Sequence, residues 1–224
     1  MKQLNFFLII FLCYACSPQA YTVYEIKSNP VQMDNTFDNL ATTPVANAVN
    51  YYSGIVHSAT STAIGEASRT LTIEKPAREL VYFTLNAMKQ FGENEGADLA
   101  LMNINGHRSN LNKGIITLGD MYEIYSFDNT LVYVELTGKD LLEILKSDKV
   151  LCSNISQNEK IFINNLPLDT DKTYKIITLD YLAGGGDELA VMKNAAHFHD
   201  TGVLLRDFMI AYIKECTKNN KKID

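Results

Sequence analysis

Three short apolar segments with many β-branched and aromatic residues lie within residues 97–136, and turn-forming sequences separate them. The segments are 99–102, 115–118 and 131–136. Short apolar runs bounded by Gly, Asn and Asp predict β-strands, so this stretch predicts a sheet whose connecting loops carry the polar residues. A sheet holds its loops in fixed positions, and side chains at the strand ends can therefore be directed at a ligand.

Two of these loops carry residues suited to binding a small molecule. Asn103, Gly106 and Arg108 follow the first segment, and Phe127 and Asn129 precede the third. An aromatic face beside a carboxamide suits a flat ring with a hydrogen-bonding edge, and a guanidinium suits an anion. Two structural alternatives stay open: the Asn-Gly residues form only a tight turn, or the aromatic residue belongs to the core.

Segments with helical periodicity lie before, between and after the predicted strands. A pattern that opens at Thr43-Pro44 predicts a helix with an apolar stripe facing a core, and further helices are predicted at 79–91, 139–147 and 204–216. Additional strands are predicted at 21–28, 63–73, 161–166 and 173–181. Helices and strands thus occur in irregular alternation along the chain.

The order of several motifs resembles the C-terminal domain of 5'-nucleotidases. These motifs are Asn103, Gly106 and Arg108; Gly114; Gly119-Asp120; Phe127; Asn129-Thr130; Leu136-Thr-Gly138; residues 174–181; and Gly185-Gly186-Asp187. The resemblance covers about 64–214, and no single motif in it is specific by itself. It implies an α+β fold in which helices flank a mixed β-sheet.

The resemblance also implies a substrate site. It assigns Arg108 and Asn129 to the nucleoside or phosphate, and Phe127 and Tyr181 to opposite faces of the base. The acidic residue after the glycines would accept hydrogen bonds from ribose hydroxyls. The complete expected binding set is Asn103, Arg108, Phe127, Asn129, Tyr181, Gly185, Gly186 and Asp187. The alternative for the glycine-rich segment is a hairpin with Tyr181 in the core.

Some positions depart from the family pattern. Larger residues replace two of the glycines that usually precede the loop arginine, so the backbone of residues 104–107 cannot approach a ligand as closely. His107 is expected to be an exposed loop histidine rather than a general acid or base. Arg78 and Arg69 are candidates for substrate-binding arginines before the second helix, although a solvated position is the simpler expectation. Residues 147–160 are shorter than the family excursion that lines part of the base pocket.

The motifs of the catalytic metallophosphatase domain of 5'-nucleotidases do not occur in this sequence. The resemblance therefore implies the substrate-recognition half of a 5'-nucleotidase acting in nucleotide catabolism. A separately encoded metallophosphatase chain would hold the divalent metals and perform hydrolysis. In that hypothesis this chain has no catalytic residue and no cofactor of its own. The alternatives are a stand-alone nucleoside-binding lipoprotein and a degenerate structural domain without a ligand.

The first residues predict export. A lysine, an apolar run and Cys16 resemble a lipoprotein signal peptide at 1–15, with cleavage before Cys16 and acylation of its thiol. An ordinary signal peptide cut after Ala20 is the alternative. The predicted location is the periplasm or cell envelope, with a lipid anchor in the membrane. The predicted organisation continues with an N-terminal strand and helix at 16–62, the nucleotidase-like domain at 63–216 and a frayed basic tail at 217–224.

The net charge, the cysteines and the histidines bear on nucleic-acid binding, disulfide formation and metal binding. The net charge of −6 is modest and distributed, which disfavours nucleic acid as a partner. Cys152 and Cys216 would remain after export, either as a disulfide or as free thiols. His197 and His199 would share one face of a strand and could bind a metal, but surface histidines are the simpler interpretation because no third ligand is evident.

Overall fold

The fold in the computed structural model is built on a mixed β-sheet. The structure describes residues 25, 27, 28, 30, 42–153, 155–157 and 161–224. The predicted leader, Cys16 and most of the predicted strand 21–28 lie outside these residues. The chain divides into Met1–Ala48 and Val49–Asp224, and the second unit contains the sheet.

The elements are numbered in chain order. The helices are α1 (Thr43–Thr60), α2 (Glu79–Glu93), α3 (Leu118–Ile124), α4 (Gly138–Ile144), α5 (Asp180–Ala183) and α6 (Leu205–Lys218). The strands are β1 (Ala63–Ala67), β2 (Leu99–Asn103), β3 (Gly114–Thr117), β4 (Thr130–Thr137), β5 (Val150–Cys152), β6 (Ile155–Gln157), β7 (Ile161–Ile163), β8 (Leu166–Pro167), β9 (Thr173–Leu179) and β10 (Ala196–Leu204). Two 3-10 turns, Gly186–Glu188 and Ala190–Asn194, precede β10.

Within the described ranges, the central sheet has the strand order β10-β4-β9-β2-β5. β2 and β9 are parallel, whereas β4 pairs with β9 in antiparallel orientation from Leu131↔Leu179 to Thr137↔Thr173. Strands β1 and β3 form a separate antiparallel pair, and β6, β7 and β8 form a small third sheet. The mixed sheet with flanking helices confirms the α+β prediction.

The core lies on the central strands of this sheet. All five residues of β2 are buried, which explains why its sequence is apolar without alternation. Helix α2 buries Leu80, Thr84, Ala87 and Met88 at the spacing that its periodicity predicted. Helix α2 packs against β2. Burying one large aliphatic side chain contributes about 1.5–3 kcal/mol, so this contact stabilises the fold.

Helix α1 forms as predicted, but the expected burial of its apolar stripe is wrong. None of its described side chains is buried, and Val49, Tyr52, Ile55 and Val56 are all exposed. Periodicity indicates that a helix is amphipathic, but it does not supply the partner that would cover the apolar face. Among the described helices, none combines the length and apolar character required to cross a bilayer.

Several boundaries differ from the sequence prediction. β1 ends at Ala67, although a strand to residue 73 was expected, and α4 ends at Ile144. The tail after residue 216 is docked rather than frayed, because α6 continues to Lys218 and Ile223 is buried. The N–H of Ile223 donates to the carbonyl of Glu66 at 2.9 Å, and its carbonyl accepts from Ser68.

Cys152 and Cys216 are free thiols. Burial raises the pKa of the Cys152 thiol to about 12. The predicted alternatives are thus resolved in favour of unpaired cysteines.

Candidate functional site

The predicted binding side chains converge on one cavity of about 220 Å³. Its lining consists of Asn103, Asn105, Arg108, Phe127, Asn129, Tyr181 and Asp187. Six of these seven residues were predicted as binding residues from the sequence. Asn105 was not, although it lies in the same predicted loop.

Strand directions explain why residues so distant in the sequence meet. Because β2 and β9 are parallel, their carboxyl ends lie at the same edge of the sheet. β4 is antiparallel to β9, so its first residues lie at that edge too. Asn103 ends β2, Asn129 precedes β4, and Tyr181 follows β9. The cavity therefore forms at one edge of the central sheet.

Asp180 connects two of the loops at this edge. Its Oδ1 accepts hydrogen bonds from the N–H of Thr130 at 3.1 Å and from the N–H of Tyr181 at 2.8 Å. The carbonyl of Asn129 in turn accepts from the N–H of Leu205 at 2.9 Å. These bonds fix the start of β4 relative to α5 and α6. Sequence reasoning gave Asp180 no role, although an acidic residue at a helix start was the available signal.

Phe127 does not belong to the core. Its ring is 42% exposed, and the guanidinium carbon of Arg108 lies 4.6 Å from the ring centre. The N–H of Arg108 donates to the carbonyl of Ile124 at 3.1 Å, which joins the loop after β2 to the end of α3, just before Phe127. The alternative of Phe127 as a core residue is wrong.

Arg206 supports the loop that carries Phe127. Its guanidinium is mostly buried and donates to the carbonyl of Tyr125 at 3.1 Å and to the carboxylate of Asp128 at 2.6 Å. It also lies 4.4 Å from the ring centre of Tyr122. Sequence reasoning missed this residue, and the only signal was an arginine beside the apolar residues that begin α6.

His107 is buried rather than exposed, which corrects the sequence expectation. Its Nε2 lies 2.9 Å from the hydroxyl of Thr84, and the hydroxyl of Tyr125 lies 2.8 Å from the same oxygen. Burial lowers the pKa of His107 to about 4, so its imidazole is neutral at physiological pH. The side chain does not line the cavity. Through Thr84, its contacts connect the loop after β2 and the segment at Tyr125 to α2.

Asn103 offers an unsatisfied acceptor beside the cavity. Its Oδ1 is buried and has no hydrogen-bond partner in the described part of the chain. A Cβ at Gly106 would lie 2.8 Å from this oxygen, so the glycine permits the close approach. A buried acceptor without a partner destabilises the free protein, and a donor on a ligand can satisfy it.

Tyr181 and Asp187 line the cavity from the segment after β9. Tyr181 is 46% exposed and lies in α5, so the alternatives of a hairpin and a core tyrosine are wrong. The Tyr181 hydroxyl donates to Oδ1 of Asp187 at 3.1 Å. Gly185 and Gly186 do not line the cavity, but they shape the turn that places Asp187 there, and Gly185 has a φ of 86°.

The other candidates from the sequence lie elsewhere. Arg69 pairs with Glu79 at 2.6 Å, and Arg78 lines a separate cavity of about 580 Å³. His197 and His199 lie on β10, where His197 approaches the carboxylate of Glu135 at 3.8 Å. No group of three or more His, Cys, Asp or Glu side chains in the described residues has a geometry that could hold a metal ion.

Comparison with known proteins finds similar sequences within larger proteins. A family model described as "5'-nucleotidase, C-terminal domain" matches residues 57–194. The chain is 28% identical over 152 residues to the trifunctional nucleotide phosphoesterase protein YfkN of Bacillus subtilis, covering 55% of this chain and 10% of that protein. It is 30% identical over 152 residues to the cell wall protein Lmo0130 of Listeria monocytogenes, covering 55% of this chain and 19% of that protein.

A solved structure agrees with the sequence relatives. The 5'-nucleotidase precursor from Thermus thermophilus superposes with a TM-score of 0.71 at 27% identity, covering 80% of this chain and 41% of that chain. The chain spans less than a fifth of each of the two curated relatives and less than half of the solved structure.

Proposed function

The chain belongs to the 5'-nucleotidase C-terminal domain family, and from that membership we propose that it is the substrate-recognition half of a 5'-nucleotidase. It binds a nucleotide or nucleoside in the cavity at the edge of the central sheet. A separate metallophosphatase chain performs the hydrolysis. The observation that carries this proposal is the convergence of six predicted binding side chains on one cavity.

The cavity offers a suitable side chain for the base, the ribose and the phosphate of a nucleotide. The exposed rings of Phe127 and Tyr181 offer faces for the base, and each stacked face contributes about 1–3 kcal/mol in comparable contacts. The carboxylate of Asp187 accepts hydrogen bonds from vicinal ribose hydroxyls. Arg108 and Asn129 contact the nucleoside or its phosphate, with a cationic donor suited to the anion.

The two chains would have different roles in the reaction. A dimetal centre in the partner would activate water and stabilise the charge that develops on the phosphoryl group. This chain contributes orientation, because a substrate held at base, ribose and phosphate presents its scissile bond in one geometry. The proposal therefore assigns no catalytic residue and no cofactor to this chain.

The proposed location is the cell envelope. Lipid attachment at Cys16 would anchor the exported domain to a membrane, and the relative from Listeria is named a cell wall protein. Substituting Cys16 with Ser should move the protein from the membrane fraction to the soluble fraction. An unchanged distribution would contradict lipid anchoring.

Two measurements test the proposed function. Calorimetry with AMP and adenosine should detect binding to the purified mature chain alone. Mixing that chain with a candidate metallophosphatase should increase phosphate release from AMP over the phosphatase alone. Binding without any gain would favour a stand-alone nucleoside-binding protein, and no binding would favour a structural domain that has lost its ligand.

A further inference from the structure

The hydroxyl of Tyr181 makes two hydrogen bonds to a single residue. It donates to Oδ1 of Asp187 at 3.1 Å and accepts from the backbone N–H of Asp187 at 3.1 Å. No other hydrogen bond reaches the Asp187 carboxylate within the described residues. This arrangement fixes one carboxylate oxygen and leaves the other free to accept from a ligand in the cavity.

The backbone around Asp187 has an unusual conformation. Asp187 has a φ of 52° and Glu188 a φ of 63°, both in the left-handed region that L-residues rarely adopt. Such conformations persist where surrounding contacts hold them. The Tyr181 hydroxyl holds the N–H of Asp187, and the ammonium group of Lys149 pairs with Glu188 at 2.5 Å.

Gly186 allows the Tyr181 ring to reach this position. A Cβ on Gly186 would lie 2.5–2.7 Å from the ring atoms Cε1, Cζ and Cε2. The glycine backbone therefore lies against the hydroxyl end of the ring, and a larger residue would displace it. The positions of Gly186, Tyr181 and Asp187 therefore depend on one another.

We propose that the Tyr181 hydroxyl is a positioning group that makes the site selective for ribose over a sugar that lacks the 2'- and 3'-hydroxyls. It orients the Asp187 carboxylate so that the free oxygen meets the 2'- and 3'-hydroxyls of the sugar. This inference rests on the proposed function, because it needs a nucleoside in the cavity. It adds to the stacking role of the ring a second role that belongs to the hydroxyl alone.

Tyr181→Phe separates the two roles, because phenylalanine keeps the ring and lacks the hydroxyl. The dissociation constants of adenosine and 2',3'-dideoxyadenosine are measured by calorimetry for both proteins. The wild-type protein should prefer adenosine by about 10-fold, the order expected for hydrogen bonds to a charged group. In the variant this preference should fall by at least about 3-fold, while binding of the dideoxynucleoside stays unchanged.

Tyr122→Phe is the matched control, since Tyr122 is exposed and its hydroxyl makes no hydrogen bond within the described residues. The Tyr122→Phe variant should prefer adenosine over 2',3'-dideoxyadenosine as strongly as the wild-type protein does. An unchanged adenosine preference in Tyr181→Phe would overturn the proposal. Equal loss of affinity for both nucleosides would also overturn it, because that result assigns only stacking to Tyr181.

A second measurement requires no ligand. The amide of Asp187 donates to the Tyr181 hydroxyl, so its hydrogen exchange should accelerate in Tyr181→Phe and stay constant in Tyr122→Phe. Unchanged exchange would show that the hydroxyl does not position Asp187. If exchange accelerates but the wild-type protein binds neither nucleoside, the proposed function fails and the ribose selectivity fails with it, while the positioning contact stands.

Discussion

The guanidinium carbon of Arg108 lies 4.6 Å from the centre of the Phe127 ring, although these residues come from different loops. A cation at this distance from an aromatic face is attracted by the ring, by about 0.5–1 kcal/mol at exposed sites. Arg108 lies over one face of Phe127, and both residues line the cavity. The contact brings the cation expected at the phosphate close to the ring expected at the base.

Replacing Phe127 with Ala should weaken adenosine binding by about 5- to 150-fold, because a stacked base contributes about 1–3 kcal/mol. Calorimetry measures the change. Phe198→Ala is the matched control, since Phe198 is exposed on β10 and does not line the cavity. Equal effects of the two variants would contradict the stacking role.

Replacing Gly186 with Ala should abolish most nucleoside binding, because the new Cβ would lie 2.5 Å from the Tyr181 ring and displace it. Gly54→Ala serves as the control. A Cβ at Gly54 meets nothing within 4 Å, and Ala favours the helix by up to about 1 kcal/mol. Binding by Gly186→Ala at the wild-type level would show that the ring is not needed at its present position.

Acid should destabilise the protein through His107. Burial lowers its pKa from 6.5 to about 4, so between these values the unfolded chain binds a proton that the folded chain excludes. The contribution of His107 to the free energy of unfolding should therefore fall by about 3 kcal/mol as pH decreases from about 6.5 to about 4, and it should not change further below that range. Urea denaturation at a series of pH values measures this dependence.

The His107 contribution is isolated by comparing variants. His107→Gln should remove that part of the pH dependence, whereas His57→Gln, at an exposed position on α1, should retain it. If His107→Gln keeps the full acid-side slope of the wild-type protein, another group is responsible and the neutral buried state of His107 is refuted.

Removing Arg206 should destabilise the fold and the site together. Arg206→Met takes away buried donors to Tyr125 and Asp128, and the free energy of unfolding should fall by about 1–3 kcal/mol. Urea denaturation measures this loss. Nucleoside affinity should fall too, because the loop that carries Phe127 loses its support.

Arg69→Met gives a matched comparison. Arg69 pairs with Glu79 at 2.6 Å, the same distance as Arg206 to Asp128, but half of its side chain is exposed. Exposed ion pairs contribute about 0–1 kcal/mol, so this variant should lose little stability and no affinity. Similar losses in both arginine variants would show that burial of Arg206 is unimportant.

Patterns and motifs in the amino-acid sequence predicted the α+β class, most of the described helices and strands, and six of the seven residues that line the cavity. Apolar runs and helical spacing are properties of short segments, and they hold wherever the segment lies in the fold. The order of the motifs along the chain also indicated the family. These motifs lie largely in loops at strand ends, where binding residues are concentrated.

Which segments meet depends on contacts between parts of the chain that are far apart in sequence. The parallel pairing of β2 with β9 brings Asn103 and Tyr181 to one edge, and neither strand sequence specifies that partner. The burial of His107, the support from Arg206 and the exposure of α1 likewise depend on contacts across long sequence separations. Local patterns set the conformation of each segment, but burial and hydrogen-bond partners are set by neighbours that the segment itself does not encode.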